Sequence, residues 1–307
     1  MGAYITRRIL TSIPTLLVIV TVTFFMMRIA PGGPFDRERA LPAEIEKNVL
    51  AAYDLDQPLV VQYGDYLLGV LQGDFGPSFK YRDFTVAELL STGFPASLKV
   101  GGLAIVLAVV VGISLGTLAA LRQNTGLDYA VMATAMTGIT IPNFVMAPLL
   151  TLIFGVYLSW LPVAGWNGGA PRNLILPVIA LALPQIAYIA RLTRGSMIEV
   201  LHTNYVRTAR AKGLRERIVV VRHALKGALL PVVSYLGPAT AQVVTGSVVI
   251  ETIFGIPGIG RYFVQGALNR DYTLVMGTVI VFAVLIILLN LIVDLLYGLL
   301  DPKVKQR

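Results

Sequence analysis

Arg191-Leu-Thr-Arg-Gly-Ser-Met-Ile-Glu-Val-Leu-His-Thr-Asn-Tyr-Val-Arg-Thr-Ala-Arg-Ala-Lys-Gly213, continuing to Lys226, is a strongly basic interval between two apolar runs. It carries nine basic residues, Arg191, Arg194, Arg207, Arg210, Lys212, Arg215, Arg217, Arg222 and Lys226, against the two acids Glu199 and Glu216. Lysine and arginine in short loops are retained on the cytoplasmic side of a membrane, so this interval is expected inside. Within it, the ten residues from Asn204 to Gly213 read as a short helix with its own start and stop. Asn204 or Thr203 caps the first free amides, Arg210 and Lys212 sit in the last turn where the helix dipole favours cations, and Gly213 supplies the left-handed residue that ends it. The expectation is a discrete cytoplasmic peg.

The rest of the chain agrees with a membrane setting. Of 307 residues 56% are hydrophobic and only 14% charged, with a mean hydropathy of +0.74, too apolar for a soluble domain. The net charge of +8 clusters beside apolar runs, where membrane lipid and topology account for it without nucleic acid. There are no cysteines, which excludes disulfides, thiolate metal sites and a cysteine nucleophile. No Gly-x-x-x-x-Gly-Lys-Ser/Thr loop occurs, so this chain is not expected to cradle ATP. His202 and His223 are far apart and lack acidic neighbours at ligand spacing, so neither a metal site nor any catalytic or cofactor-binding residue is expected. Ionisable residues inside the apolar runs are nearly missing, although carriers that couple to ion gradients depend on them. Lys99, Glu251 and Asp294 come nearest, and each is read as an interfacial anchor at a span end. A bundle with a cytoplasmic peg and no energy source of its own implies an external motor.

Crossing a hydrocarbon core takes about 20 apolar residues. Six stretches qualify: 9–29, 97–121, 129–156, 173–190, 228–250 and 272–296. The third lies in an uncharged run longer than one crossing, with Pro142 and Pro148 placed to kink it. Lipid tolerates only helices or closed barrels, and every run is helix-length, so the fold class is an all-α polytopic membrane protein in a single domain. With both termini inside, fifteen basic residues face four acidic ones on the cytoplasmic side, which also holds the 191–226 loop. The first span follows Arg7 and Arg8 without a cleavage signal and reads as a retained anchor. Residues 30–95 then lie outside, with ten acids against five basic residues. Helices are expected there over Pro42 to Tyr53 and Pro58 to Leu71. That segment serves either as a lid or as a docking surface.

Three smaller features complete the residue-level reading. Gly112-Ile-Ser-Leu-Gly116 predicts close helix packing. Pro14, Pro142, Pro148, Pro177, Pro184, Pro231 and Pro238 interrupt the spans as kinks or hinges. Gly255-Ile-Pro-Gly-Ile-Gly260 predicts a compact turn exposing backbone amides and carbonyls, serving either substrate contact or a steric connection. On the peg, Ala209 and Gly213 stand four residues apart and allow a partner surface to approach, where the arginines could pair with carboxylates. Contact with lipid headgroups is the competing explanation.

Arg207-Thr-Ala-Arg-Ala-Lys-Gly213, with Leu230-Pro231 downstream, resembles the coupling-helix loop of ABC importer permeases. The family pattern has Glu-Ala-Ala, three residues and Gly, and here Arg207 stands at the Glu position and Thr208 at the first Ala. Phe25-Met-Met-Arg-Ile-Ala-Pro-Gly-Gly-Pro34, Gly73-Asp-Phe-Gly-Pro-Ser78, the Glu251 to Gly260 stretch, Asn269-Arg-Asp-Tyr272 and Asp294-Leu-Leu-Tyr-Gly-Leu-Leu-Asp-Pro302 occur in the family's order. They resemble the first permease subunit of the dipeptide and oligopeptide importers (OppB/DppB type), with Phe79-Lys-Tyr and Trp166-Asn-Gly-Gly favouring the oligopeptide branch.

That resemblance implies a six-helix type I importer permease fold in the bacterial inner membrane. It implies a non-catalytic subunit that forms half of a pathway for oligopeptides. The partners implied are a second, homologous permease, two cytoplasmic ATPases carrying ATP and magnesium, and an extracytoplasmic peptide-binding protein. It assigns Tyr205, Arg207, Thr208, Ala209, Arg210, Lys212 and Gly213 to ATPase coupling, and Gly255, Pro257, Gly258 and Gly260 to the outer end of the pathway. Dipeptides, glutathione or nickel are alternative cargoes within the family. A self-sufficient secondary transporter is the alternative from another class.

Overall fold

The computed structural model describes residues 2–29, 55–81 and 83–300. The helix expected over Pro42 to Tyr53 lies outside the described residues, as does the tail beyond Leu300. In chain order the helices are α1 (Gly2–Ile29), α2 (Leu59–Gln72), α3 (Val86–Leu121), α4 (Gly126–Thr140), α5 (Asn143–Leu150), α6 (Pro171–Leu201), α7 (Asn204–Ala211), α8 (Leu230–Phe254), α9 (Ile259–Asn269) and α10 (Tyr272–Leu300). Among the described residues there is no strand, only an isolated bridge between Pro77 and Thr85. Among the described residues, five helices are long and apolar enough to cross a membrane. A sixth candidate is the pair Gly126–Thr140 and Asn143–Tyr157, bent by 106°.

That bend falls where Ile141 leaves the helical region at φ −97° and ψ 118° before Pro142. A residue preceding proline is pushed out of the α region, so the break is written in the sequence. Below Pro148 the helix widens into a π-helical turn, Thr151–Tyr157. Pro14, Pro177, Pro184 and Pro238 sit inside continuous helices.

Helix ends depart furthest from the hydropathy edges in two places. α3 begins at Val86, eleven residues before the expected 97, because Thr85 and Glu88 form a reciprocal cap. The Thr85 amide and hydroxyl donate to Glu88 Oε2 at 2.8 and 3.0 Å, and the Glu88 amide donates back to Thr85 Oγ1 at 3.2 Å. Thr85-Val-Ala-Glu88 was a readable signal. α6 does not stop at Arg191 but runs on to Leu201, since nothing in 191–201 breaks a helix and arginine stems can lie along it while their heads reach water.

The chain divides into two compact units. One comprises Leu98–Ile256 with the described residues from Ile286 onward. Its hub is α6, with 61% of its apolar window buried, against 11% for α1. Glycines let its neighbours come close. A Cβ on Gly116 would lie 2.4 Å from the Ala190 carbonyl oxygen, one on Gly112 2.8 Å from Ile189 Cβ, and one on Gly138 of α4 2.4 Å from the Leu183 carbonyl oxygen. The packing role expected of Gly112 and Gly116 is therefore met. Asp128, in the first turn of α4, takes Arg194 of α6 in a two-pronged ion pair at 2.7 and 2.6 Å.

The other unit comprises the described parts of Gly2–Ser97 together with Pro257–Leu285. Its core gathers Phe24 with Phe25, Tyr63, Tyr66 and Tyr272, and the Arg28 guanidinium lies 5.2 Å from the Phe24 ring centre. Here Gly73-Asp-Phe-Gly-Pro-Ser78 and Asn269-Arg-Asp-Tyr272 meet. The buried Asp271 carboxylate accepts from the Ser78 hydroxyl, the Lys80 amide, the Thr273 hydroxyl and the Leu274 amide, which also caps α10. Ser78, expected on an exposed outer segment, is buried for this reason.

Candidate coupling site

The peg is α7. Thr203, at φ −71° and ψ 155°, is the residue before its first turn, but its hydroxyl donates back to the Val200 carbonyl at 2.7 Å instead of capping. Asn204, the other expected cap, is the first helical residue. The stop is as read: Gly213 has φ +75°, its amide donates to the Arg210 carbonyl at 2.9 Å, and nothing lies within 4 Å of a Cβ placed there.

α7 has two faces. Val206 and Ala209 are buried with Ala120, Met197, Val219, Val220, Ala224 and Ala228. Ala209 is thus small because its own chain packs on it, which corrects the expectation that it leaves room for a partner. Tyr205, Arg207, Thr208, Arg210, Lys212 and Gly213 are exposed. A partner approaching α7 would meet an arginine, a lysine, a phenol and a glycine turn.

Arg210 is held from both sides. Its Nε and Nη2 donate to Glu216 at 3.2 and 2.7 Å, and Nη1 reaches the Leu201 carbonyl at 3.5 Å. One guanidinium therefore ties the end of α6, the peg and the segment beyond Gly213. The guanidinium holds the Glu216 carboxyl below the usual carboxylate range. Arg207 forms no ion pair among the described residues and projects outward. Beyond the turn, Glu216–Ile218 leads into a π-helical turn, Val219–Ala224, and then Leu225–Ala228, whose buried residues complete the core under α7.

The second expected site is more enclosed than its sequence implied. Gly255 closes α8 in the left-handed region at φ +64°, and Gly258 has φ −100°, so only the first of the turn's glycines needs that freedom. Gly258 and Gly260 are buried, and Pro257 is half-buried. The Ile256 amide is taken by the Glu251 carbonyl at 2.8 Å and the Ile259 amide by Ser97 Oγ at 2.9 Å. The expected display of free amides at these positions is absent, because a short turn in an apolar setting must satisfy its polar groups internally.

The anchors also differ. Glu251 is fully buried within α8, and Lys99 lies inside α3, its Nζ donating to the Gly169 carbonyl at 2.8 Å and standing 5.7 Å from the Trp166 ring centre. Sequence reasoning missed the Arg210 clamp. It also missed a polar group within the spans, where Gln185 Nε2 donates to Gln242 Oε1 at 3.1 Å and the Tyr235 hydroxyl to Gln185 Oε1 at 2.9 Å. Two glutamines inside apolar runs were the available signal.

Residues 112–306 match the family described as "Binding-protein-dependent transport system inner membrane component", and residues 1–98 match the N-terminal family of the same membrane components. The chain is 58% identical over 302 residues to the oligopeptide transport system permease protein OppB of Salmonella typhimurium, covering 98% of this chain and 99% of that one. It is 48% identical over 305 residues to the dipeptide transport system permease protein DppB of Bacillus subtilis, covering 99% and 98%. Among solved structures, the inward-facing MetNI methionine ABC transporter aligns with a TM-score of 0.57 at 18% identity, over 69% of this chain and 96% of that one, a likeness of fold.

Proposed function

The chain belongs to the inner membrane components of binding-protein-dependent transport systems, and on that premise we propose that it is the permease subunit of an ATP-driven importer for oligopeptides, forming half of the translocation pathway. The observation that carries the cargo is the near full-length similarity to permeases named for oligopeptide transport. The relative named for dipeptides makes shorter peptides the second reading.

The remaining parts follow from that role. A second, homologous permease completes the pathway, two cytoplasmic ATPases supply ATP and magnesium chemistry, and an extracytoplasmic binding protein delivers peptide. Both termini and the 191–226 segment lie in the cytoplasm, and 30–95 lies outside, in keeping with fifteen basic against four acidic residues on the inner face. Tyr205, Arg207, Thr208, Arg210, Lys212 and Gly213 meet the ATPase, and Ala209 supports that face from beneath. Two features support the idea that a push on α7 reaches the spans. Arg210 links it to the end of α6, and the packed cluster links it to Ala120 of α3 and Met197 of α6. Gly255, Pro257, Gly258 and Gly260 act as a steric connector at the outer end of the pathway, a role suited to a turn whose amides are already bonded.

The test is uptake into liposomes by the complete complex. Peptide accumulates only when ATP is on the α7 side, and binding protein raises ATP hydrolysis, because motor and gate are thermodynamically linked. Accumulation driven by a proton or sodium gradient through this chain alone would refute the proposal.

A further inference from the structure

A groove of 470 Å³ lies between α4 and α6, wholly within the Leu98–Ile256 unit. α4 contributes Tyr129, Met132 and Met136, which are spaced three and four residues apart and so share one face of the helix. α6 contributes Arg191, Arg194 and Gly195, the second and third standing three and four residues beyond the first. Asp128 lies in the wall, where its carboxylate takes the Arg194 guanidinium at 2.7 and 2.6 Å and the Asn124 amide at 2.9 Å.

That carboxylate is neutralised within the pair, so the charge left over belongs to Arg191. Arg191 is exposed and forms no ion pair among the described residues. Arg194 spends Nε and Nη2 on Asp128 and keeps the two N–H groups of Nη1. Tyr129 is 64% exposed, and its hydroxyl makes no hydrogen bond among the described residues.

Arg191 is the first residue past the 173–190 span and Tyr129 the first of the 129–156 span, so in the proposed orientation both mark the cytoplasmic edge of the membrane. Met132 and Met136 lie deeper along α4 by about 4.5 and 10.5 Å, at 1.5 Å per residue. From rim to floor the groove thus passes from a guanidinium and a phenol to two flexible thioethers. A phospholipid has the same order of polarity, from its phosphate to its acyl chains. The one uncompensated cation matches the single negative charge of a phosphodiester, and basic pockets between spans on the cytoplasmic side take such headgroups. A soluble phosphate ester would leave the methionines uncovered.

We infer that the α4–α6 groove binds one acidic phospholipid of the cytoplasmic leaflet, its phosphate on Arg191 beside Tyr129 and Arg194 Nη1, and an acyl chain along Met132 and Met136. The site does not depend on the cargo. Only the leaflet rests on the proposed orientation, which labelling of Asn204→Cys by an impermeant maleimide tests by itself.

The experiment is photolabelling of the whole importer complex in phosphatidylcholine nanodiscs, with a trace of phosphatidylglycerol carrying a diazirine on one acyl chain, followed by mass mapping of the labelled peptides. The acidic probe labels residues 129–136 and 191–195 at least about fivefold more than a phosphatidylcholine probe with the same chains, a ratio equivalent to about 1 kcal/mol for one arginine at an anionic charge. Arg191→Gln removes that preference. Gly195→Leu lowers labelling by both probes, because nothing lies within 4 Å of a Cβ placed there and the new side chain fills the groove without displacing a neighbour. All subunits co-elute with both variants, since neither residue lies on the face assigned to the ATPase. Excess glycerol 1-phosphate leaves the labelling unchanged. Equal labelling by the two probes, a preference undiminished in Arg191→Gln, labelling undiminished in Gly195→Leu, or no label at these residues in the co-eluting complex overturns the inference. Competition by glycerol 1-phosphate assigns the groove to a soluble phosphate and overturns it as well.

Discussion

Gly116→Ala tests the packing of α3 on α6 with a single carbon atom. The added Cβ would stand 2.4 Å from the Ala190 carbonyl oxygen, 2.7 Å from Thr193 Cβ and 3.0 Å from the Arg194 amide nitrogen. Carbon atoms pack best at about 3.5–4.0 Å, so α3 must retreat by about 1 Å. Two of the three obstructing atoms are backbone, and no side-chain rotation removes them. Gly112, one turn earlier, is equally tight against Ile189 and cannot hinge away. Overpacking of this kind costs about 1–3 kcal/mol, or roughly 5- to 150-fold in the folding equilibrium. Gly102→Ala in the same helix is the reference, because nothing lies within 4 Å of its Cβ. Both substitutions gain the same helix propensity, about 1 kcal/mol, so their difference isolates the contact. Unfolding in graded SDS from mixed micelles should place Gly102→Ala at or above the wild type and Gly116→Ala below Gly102→Ala by that 1–3 kcal/mol. Equal midpoints for the two variants would refute the close contact.

Asp128→Ala strands Arg194, whose side chain is 27% exposed against 1% for Asp128; the expected loss is about 1–3 kcal/mol, and Arg194→Met added in the same chain recovers more than half of it in the same SDS titration. Glu216→Gln loosens the clamp on α7, but the pair is largely exposed, so hydrogen exchange of residues 204–213 rises by no more than about fivefold. Because Arg210 depresses the Glu216 pKa, the pair's contribution is present above the ordinary glutamate range, near about 4.3, and is lost only as acid carries the pH down through the lowered folded value; exchange corrected for its intrinsic rate is flat from pH 6 to pH 8. Arg207→Glu leaves α7 folded and lowers ATPase association by at least about tenfold, measured by co-purification, if that face meets an acidic surface. For topology, cysteines at the exposed positions Gln72 and Asn204 should react oppositely with an impermeant maleimide in intact cells, Gln72→Cys labelled and Asn204→Cys not; the reverse pattern would invert the proposed orientation.

How much of this was legible in the sequence depends on the range over which the physics acts. A bilayer forces every backbone group in a span to bond within its own helix, so a run of about 20 apolar residues declares a helix locally, and charge asymmetry declares an expected side. The break at Ile141-Pro142 and the stop at Gly213 are equally local, set by the backbone preferences of a few residues. The peg, the packing glycines and the family motifs were therefore readable. The start of α3 at Thr85-Val-Ala-Glu88 was readable too and was overlooked because hydropathy, unlike capping, ignores it.

Tertiary structure alone decided which surfaces are free. In apolar runs every face of a helix looks alike, so the pattern does not encode which neighbour a residue meets. Ala209 turned out to be buried by Met197, Val219 and Ala224 of its own chain, and Arg210 to be spent on Leu201 and Glu216, which leaves Arg207, Lys212 and Gly213 on the outer face. Ser78 and Asp271 join across 193 positions of sequence, and Gln185 gathers Tyr235 and Gln242 across 50 and 57. Such contacts depend on how helices pack, which is settled by close fit over many small terms and not by any one residue's preference.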